Sequence, residues 1–133
     1  MTDLVPPSHL DLLHSNGLAF VATTHQHRPQ VSPTWFLWDD DRGHVLISLT
    51  DRRQKYRNLV RNPEVAVCLL DPVNPYRYIE LRGRAESMLA DEDHWLIDAL
   101  TRKYLKQEKF PPNPGDGGRL LVRIAPGYVR CFG

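Results

Sequence analysis

The segment 44-HVLISLT-50 alternates along its length: Val45, Ile47 and Leu49 point one way, Leu46, Ser48 and Thr50 the other. A period of two marks a strand with two distinct faces. The same reading gives strands over 18–25, 30–39, 64–71 and 76–89, and two closing strands over 119–125 and 127–133. Within 76–89, Ile79, Leu81, Gly83 and Ala85 form the inward row, while Tyr78, Glu80, Arg82, Arg84 and Glu86 face the other side. Pro33 removes a backbone donor from 30–39, which confines that strand to a sheet edge or a bulge.

Three segments change period and read as short helices. Pro6 and Pro7 open the first, over 7–15, with Leu10, Leu12 and Leu13 available for burial and Asn16-Gly17 as its stop. The second takes Thr50 or Asp51 as N-cap, sets Tyr56, Leu59 and Val60 at i, i+3, i+4, and ends at Asn62-Pro63. Acid-rich 91-DED-93 starts the third, which reaches about Lys106 on Trp95, Leu96, Ala99 and Leu100. Polar turns fall at 26–29, 39–43 and 72–75, and 107–118 is a Pro/Gly-rich loop whose length marks it as a functional candidate.

About seven strands against three scattered short helices exclude alternating βαβ units and predict a mainly β, antiparallel barrel decorated with helices. The 133 residues suit one domain over 1–133. At 41% hydrophobic and 25% charged residues, a chain this long buries a core without disulfides or a structural metal. Cys68 and Cys131 sit in apolar runs and read as reduced core residues. The 17 basic and 16 acidic residues set up no global field toward nucleic acid or a membrane, so any anion site is local. No apolar run approaches the roughly 20 residues of a bilayer span. The first fifteen residues lack a signal-peptide pattern, and the expectation is a cytoplasmic protein.

One local charge cluster stands out. Arg52, Arg53 and Lys55 crowd the start of the second helix, where free amides already leave partial positive charge. Each cation there costs roughly 0.3–1 kcal/mol unless an anion docks. With the hydroxyls of Ser48 and Thr50 just upstream, the cluster reads either as a phosphate cradle or as a solvated basic helix carrying the row Arg53, Arg57, Arg61. His25 and His27 lack a third ligand at metal spacing and read as solvated, so no metal site is expected. The charges on 80–86 read as cross-strand ion pairs or a subunit contact, and Trp35, Phe36 and Trp38 as core or interface aromatics. Tyr76 and Tyr78 suit either ligand stacking or packing. No nucleophile, acid or base motif occurs, and no catalytic residue is assigned. A phosphate cradle without such groups fits a protein whose chemistry is carried by a bound phosphorylated cofactor.

Three pieces in order, 29-PQVSPTWF-36, 48-SLTDRRQKYRNLVRNPEVAVCLLDP-72 and 74-NPYRYIELRGRAE-86, resemble the pyridoxamine-phosphate-oxidase-like superfamily of flavin-binding split β-barrels. Within it the chain looks most like the branch that uses the deazaflavin coenzyme F-420. The resemblance implies a Greek-key-like split barrel and a homodimer with two cofactor sites at the subunit interface. It implies that Arg53 and Lys55 hold the cofactor phosphate, helped by Ser48 and Thr50. Gln30, Ser32, Pro33 and Thr34 would lie along the ring, with Tyr76 and Tyr78 reaching it from the partner subunit. The activity implied is hydride transfer between F-420 and an unsaturated small molecule. Alternatives in the same fold are an FMN-dependent oxidase or reductase, a non-catalytic cofactor carrier, and a haem-binding protein.

Overall fold

A computed structural model describes residues 4–111 and 117–133. Seven strands form one antiparallel sheet: β1 (Ala19–His25), β2 (Arg28–Thr34), β3 (Leu37–Asp39), β4 (His44–Thr50), β5 (Glu64–Leu70), β6 (Tyr78–Ala90) and β7 (Arg119–Phe132). Their order is β2-β1-β5-β6-β7-β4-β3, and every pair is antiparallel. Helix α1 (Gln54–Arg61) links β4 to β5, and α2 (Trp95–Leu105) links β6 to β7. The architecture is mainly β and antiparallel, as the alternation predicts, and is the split barrel that the resemblance implies.

Pro33 lies where its missing donor does least harm, since β2 is an edge strand. The β1–β2 hairpin turns on Gln26 and His27, with φ of 50° and 66°. Two-residue hairpins of the primed type require that left-handed backbone. On β4, Val45, Ile47 and Leu49 enter the main core with Val21, Val67, Leu69, Ile79, Leu81, Val122 and Ile124. Leu46, on the opposite face, packs with Leu96 and Leu100 of α2. Both faces of β4 are therefore covered.

Several elements depart from expectation. Residues 30–39 form two strands, because Phe36 directs its backbone to side chains of α2. Its amide donates to Tyr104 Oη at 3.3 Å and its carbonyl accepts from Lys103 Nζ at 2.7 Å. Residues 119–132 form one strand, because a bulge absorbs Pro126-Gly127. The register slips there between Arg82 and Gly83. A Cβ on Gly83 would stand 2.0 Å from the Ala125 carbonyl oxygen, so only glycine allows the two strands to close.

The first helix falls where expected, at Pro7–His14, and is a 3-10 helix. It is tied down by His9 Nε2, 3.0 Å from the Phe132 carbonyl, and by Arg77, which pairs with Asp11 and Asp71. In α1, Leu59 and Asn58 are buried whereas Val60 is 56% exposed, so the apolar stripe is narrower than the spacing predicted. In α2, Ile97 takes the core position expected of Trp95, which is exposed. Cys68 and Cys131 are free and half-buried rather than fully in the core, and burial raises both thiol pKa values. No helix among the described residues is long and apolar enough to cross a membrane.

Candidate functional site

A cavity of about 630 Å³ opens between the edge strand β2, the end of β4, the start of α1, and α2. One wall is polar and charged: Gln30, Ser32, Thr34, Ser48, Arg53, Gln54 and Lys55. The lining also includes the apolar side chains of Leu18, Trp35, Ile97, Leu100 and Phe110. A volume of this size suits a small-molecule ligand, and the lining mixes polar and apolar surface in near-equal measure, more polar than most such sites.

The charged end is built by the turn from β4 into α1. Thr50 and Asp51 do not cap the helix; Arg53 is the N-cap, and no side chain bonds the first amides. The expectation of a Thr50 or Asp51 cap is thereby corrected. An uncapped N-terminus leaves backbone donors and the positive end of the dipole available to an anion. Lys55 lies on the first turn, and its pKa is lowered, first by burial and then by the neighbouring Arg53 charge. Both effects penalise the ammonium, and an anion bound beside it would offset them.

A side-chain network holds the polar wall in place. Asn58, only 1% exposed on the inner side of α1, donates to Thr23 Oγ1 and Gln30 Oε1, each at 2.9 Å. It accepts from Gln54 Nε2 at 2.8 Å. Thr23, Gln30 and Gln54 all line the cavity, so one buried amide couples β1, β2 and α1. Trp35, also in the lining, stacks on Tyr104, with centroids 5.2 Å apart and planes 6° off parallel. Tyr104 Oη in turn donates to the Gly17 carbonyl at 2.7 Å.

Of the ten residues singled out from the sequence, the cavity gathers seven: Gln30, Ser32, Pro33, Thr34, Ser48, Arg53 and Lys55. Thr50 is buried and paired in register with Arg119, outside the lining. Tyr76 is 79% exposed, and Tyr78 stacks on Phe132; neither lines the cavity of its own chain. Residues the sequence reading missed are Gln54, Phe110, Arg119 and the buried Asn58. Arg119 lies over the Phe110 ring, 4.7 Å from its centroid, and reaches Ser48 Oγ at 3.5 Å. Phe110 comes from the loop flagged for its length, of which residues 112–116 lie outside the described residues.

Comparison with known proteins places this geometry in a family. The family model of pyridoxamine 5'-phosphate oxidase matches residues 5–132. An F-420 reductase structure is 32% identical, with a TM-score of 0.84, covering 95% of this chain and 98% of its own. General Stress Protein 26 of Bacillus anthracis shares the fold at 19% identity and a TM-score of 0.69, covering 92% of this chain and 88% of its own. So does a FAD-binding protein of Mesorhizobium loti, at 18% identity and a TM-score of 0.66, covering 93% and 89%. No curated protein matches the chain. With nearly its whole length matched by the family model, the chain belongs to the pyridoxamine 5'-phosphate oxidase family of split β-barrels.

Proposed function

We propose that the cavity binds the deazaflavin coenzyme F-420 through its phosphate, and that the protein transfers a hydride to or from an unsaturated small molecule. The observation that carries this is the convergence of Arg53, Lys55, Ser48 and an uncapped helix N-terminus on one end of a cavity. The 32% identity to an F-420 reductase supports the deazaflavin over FMN. When bound, such a ring supplies the two-electron chemistry, which is why the chain needs no nucleophile of its own.

The residues present fit that ligand. Arg53 and Lys55 neutralise the phosphate, and its charge compensates two cations that otherwise oppose each other and the helix dipole. Gln30, Ser32, Pro33 and Thr34 offer an extended edge strand along which a flat ring can lie. Trp35, Ile97, Leu100 and Phe110 supply apolar surface that excludes water where an acceptor would approach the ring. Tyr76 and Tyr78, which stand away from their own cavity, are assigned to the partner's site in a homodimer.

Fluorescence titration of the purified protein with F-420 and, separately, with FMN tests the assignment. Removing one charge-assisted phosphate contact costs about 1.5–3 kcal/mol, so Lys55→Ala is expected to weaken F-420 binding roughly 10–150-fold. Unchanged binding in that variant would overturn the phosphate site. Tighter binding of FMN than of F-420 would replace the deazaflavin with a flavin. If F-420 binds, a panel of enones and quinones then separates a reductase from a carrier, by whether reduced F-420 is oxidised.

A further inference from the structure

The amides around the polar end of the cavity form a chain whose direction follows from one group that can only donate. An arginine guanidinium has no acceptor. Arg57 Nη2 lies 2.7 Å from the Gln54 amide, so the atom it meets is Oε1. Gln54 must then turn its nitrogen to Asn58, which accepts on Oδ1 at 2.8 Å. Asn58 is left with its nitrogen for its other neighbours, Thr23 Oγ1 and Gln30, both at 2.9 Å. Gln30 must accept on Oε1, and the group it can offer a ligand is its N–H. Reversing an amide would set two donors or two acceptors against each other, and the mismatch is felt most at Asn58, the buried member of the chain.

We propose that Arg57, which does not line the cavity, acts through Gln54 and Asn58 to present Gln30 as a hydrogen-bond donor, so that the site selects ligands offering an acceptor there. Arg57 and Asn58, outside the lining, are positioning residues; Gln54 lines the cavity and relays the direction, and Gln30 is the amide assigned to the ring. Resting on the reading of this cavity as the deazaflavin site, the inference assigns Gln30 to a ring carbonyl oxygen rather than to the ring N–H between the carbonyls. A donor at that position also disfavours ring analogues in which the carbonyl is replaced by a protonated amine, since two donors would then meet.

The test uses F-420 binding together with side-chain amide NMR. Arg57→Lys keeps a group that only donates and is expected to bind F-420 within about threefold of wild type. Arg57→Glu puts a group that only accepts against Gln54, reverses the chain, and is expected to weaken binding about tenfold. Arg61→Glu, one turn further along α1, makes the same charge change without touching the amides and is expected to retain binding within about threefold. Saturation with F-420 should move the Gln30 side-chain amide resonance in wild type and leave it near its free position in Arg57→Glu. Equal weakening by Arg57→Glu and Arg61→Glu, or a Gln30 resonance unmoved in wild type, would overturn the proposal. Should F-420 not bind the wild type, the deazaflavin reading fails, and amide exchange in the free protein decides the network. Slow exchange at the Asn58 amide that is lost in Arg57→Glu supports it, and equal exchange in the two proteins overturns it.

Discussion

Lys103 combines two opposing demands on one ammonium. Its Nζ donates to the Phe36 carbonyl and lies 3.9 Å from the centre of the Phe36 ring, contacts that favour the charged form. Burial works the other way and pushes its pKa down to about 8 from 10.5. Between those values the unfolded chain holds a proton that the folded chain has lost, so the stability traceable to Lys103 rises as pH climbs from about 8 to about 10.5. Tyr104, pushed up to about 12 by burial, acts in the opposite sense above pH 10. We therefore predict that the stability difference between wild type and Lys103→Met, measured by urea unfolding, shifts in favour of wild type across that window. The shift should be on the order of 1 kcal/mol, after discounting for the solvent that reaches the side chain. A flat difference would mean that the carbonyl and the rings fully offset burial. At this same scale, Arg53 and Lys55 were legible in the sequence because cations at a helix start are a local anomaly. Asn58 was not. Its partners are 28 and 35 residues away, and nothing in the neighbouring sequence distinguishes it from a helix-ending asparagine.

The elements were legible in kind wherever their pattern is local. The alternation of 44–50 and 76–89 and the Asn62-Pro63 stop predicted β4, β6 and the end of α1 within a residue or two. What could not be read were boundaries decided by another element: the break at Phe36, imposed by α2, and the continuity through Pro126-Gly127, allowed by Gly83 across the ladder. The start of α2 shows how such long reach matters to the cavity. The residue before the helix, His94, has a left-handed backbone and makes no cap with its side chain. Asp91 serves instead, accepting from the amides of Leu96 and Ile97 at 3.0 and 3.3 Å in a buried setting. Asp91→Ala leaves both donors unsatisfied and should cost about 2 kcal/mol, a fall of roughly 5–10 °C in Tm. Because Ile97 and Leu100 wall the cavity, F-420 affinity should fall with it. Asp91→Asn, which still accepts, should recover most of both. Equal stability of the alanine variant and wild type by calorimetry would remove Asp91 from this role.

On the scale of the whole molecule, the outer face of the β6–β7 pair is the least finished surface. Tyr78 and Phe132 stack side by side, Glu80 faces Arg130 in register, and Arg82 lies over the Tyr128 ring, 4.8 Å from its centroid. Phe132 and Tyr128 are about half exposed, and Tyr76 stands almost free at the neighbouring turn. Aromatic rings interleaved with arginine are the composition of an interface core rather than of a solvated face. The strip also carries both signs of charge, so a second copy turned about a two-fold axis can meet it with complementary partners. The proposed site assigns Tyr76 and Tyr78 of each copy to the cavity of the other, so binding there depends on such a pairing. We therefore predict that the protein sediments at twice its 15.4 kDa chain mass at micromolar concentration. Tyr128→Asp, which sets a carboxylate into the middle of the strip, should sediment at the chain mass and bind F-420 more weakly while keeping its circular-dichroism spectrum. A wild type that sediments as a monomer yet binds F-420 tightly would show that each chain completes its own site. Tyr76 and Tyr78 would then play no part in binding.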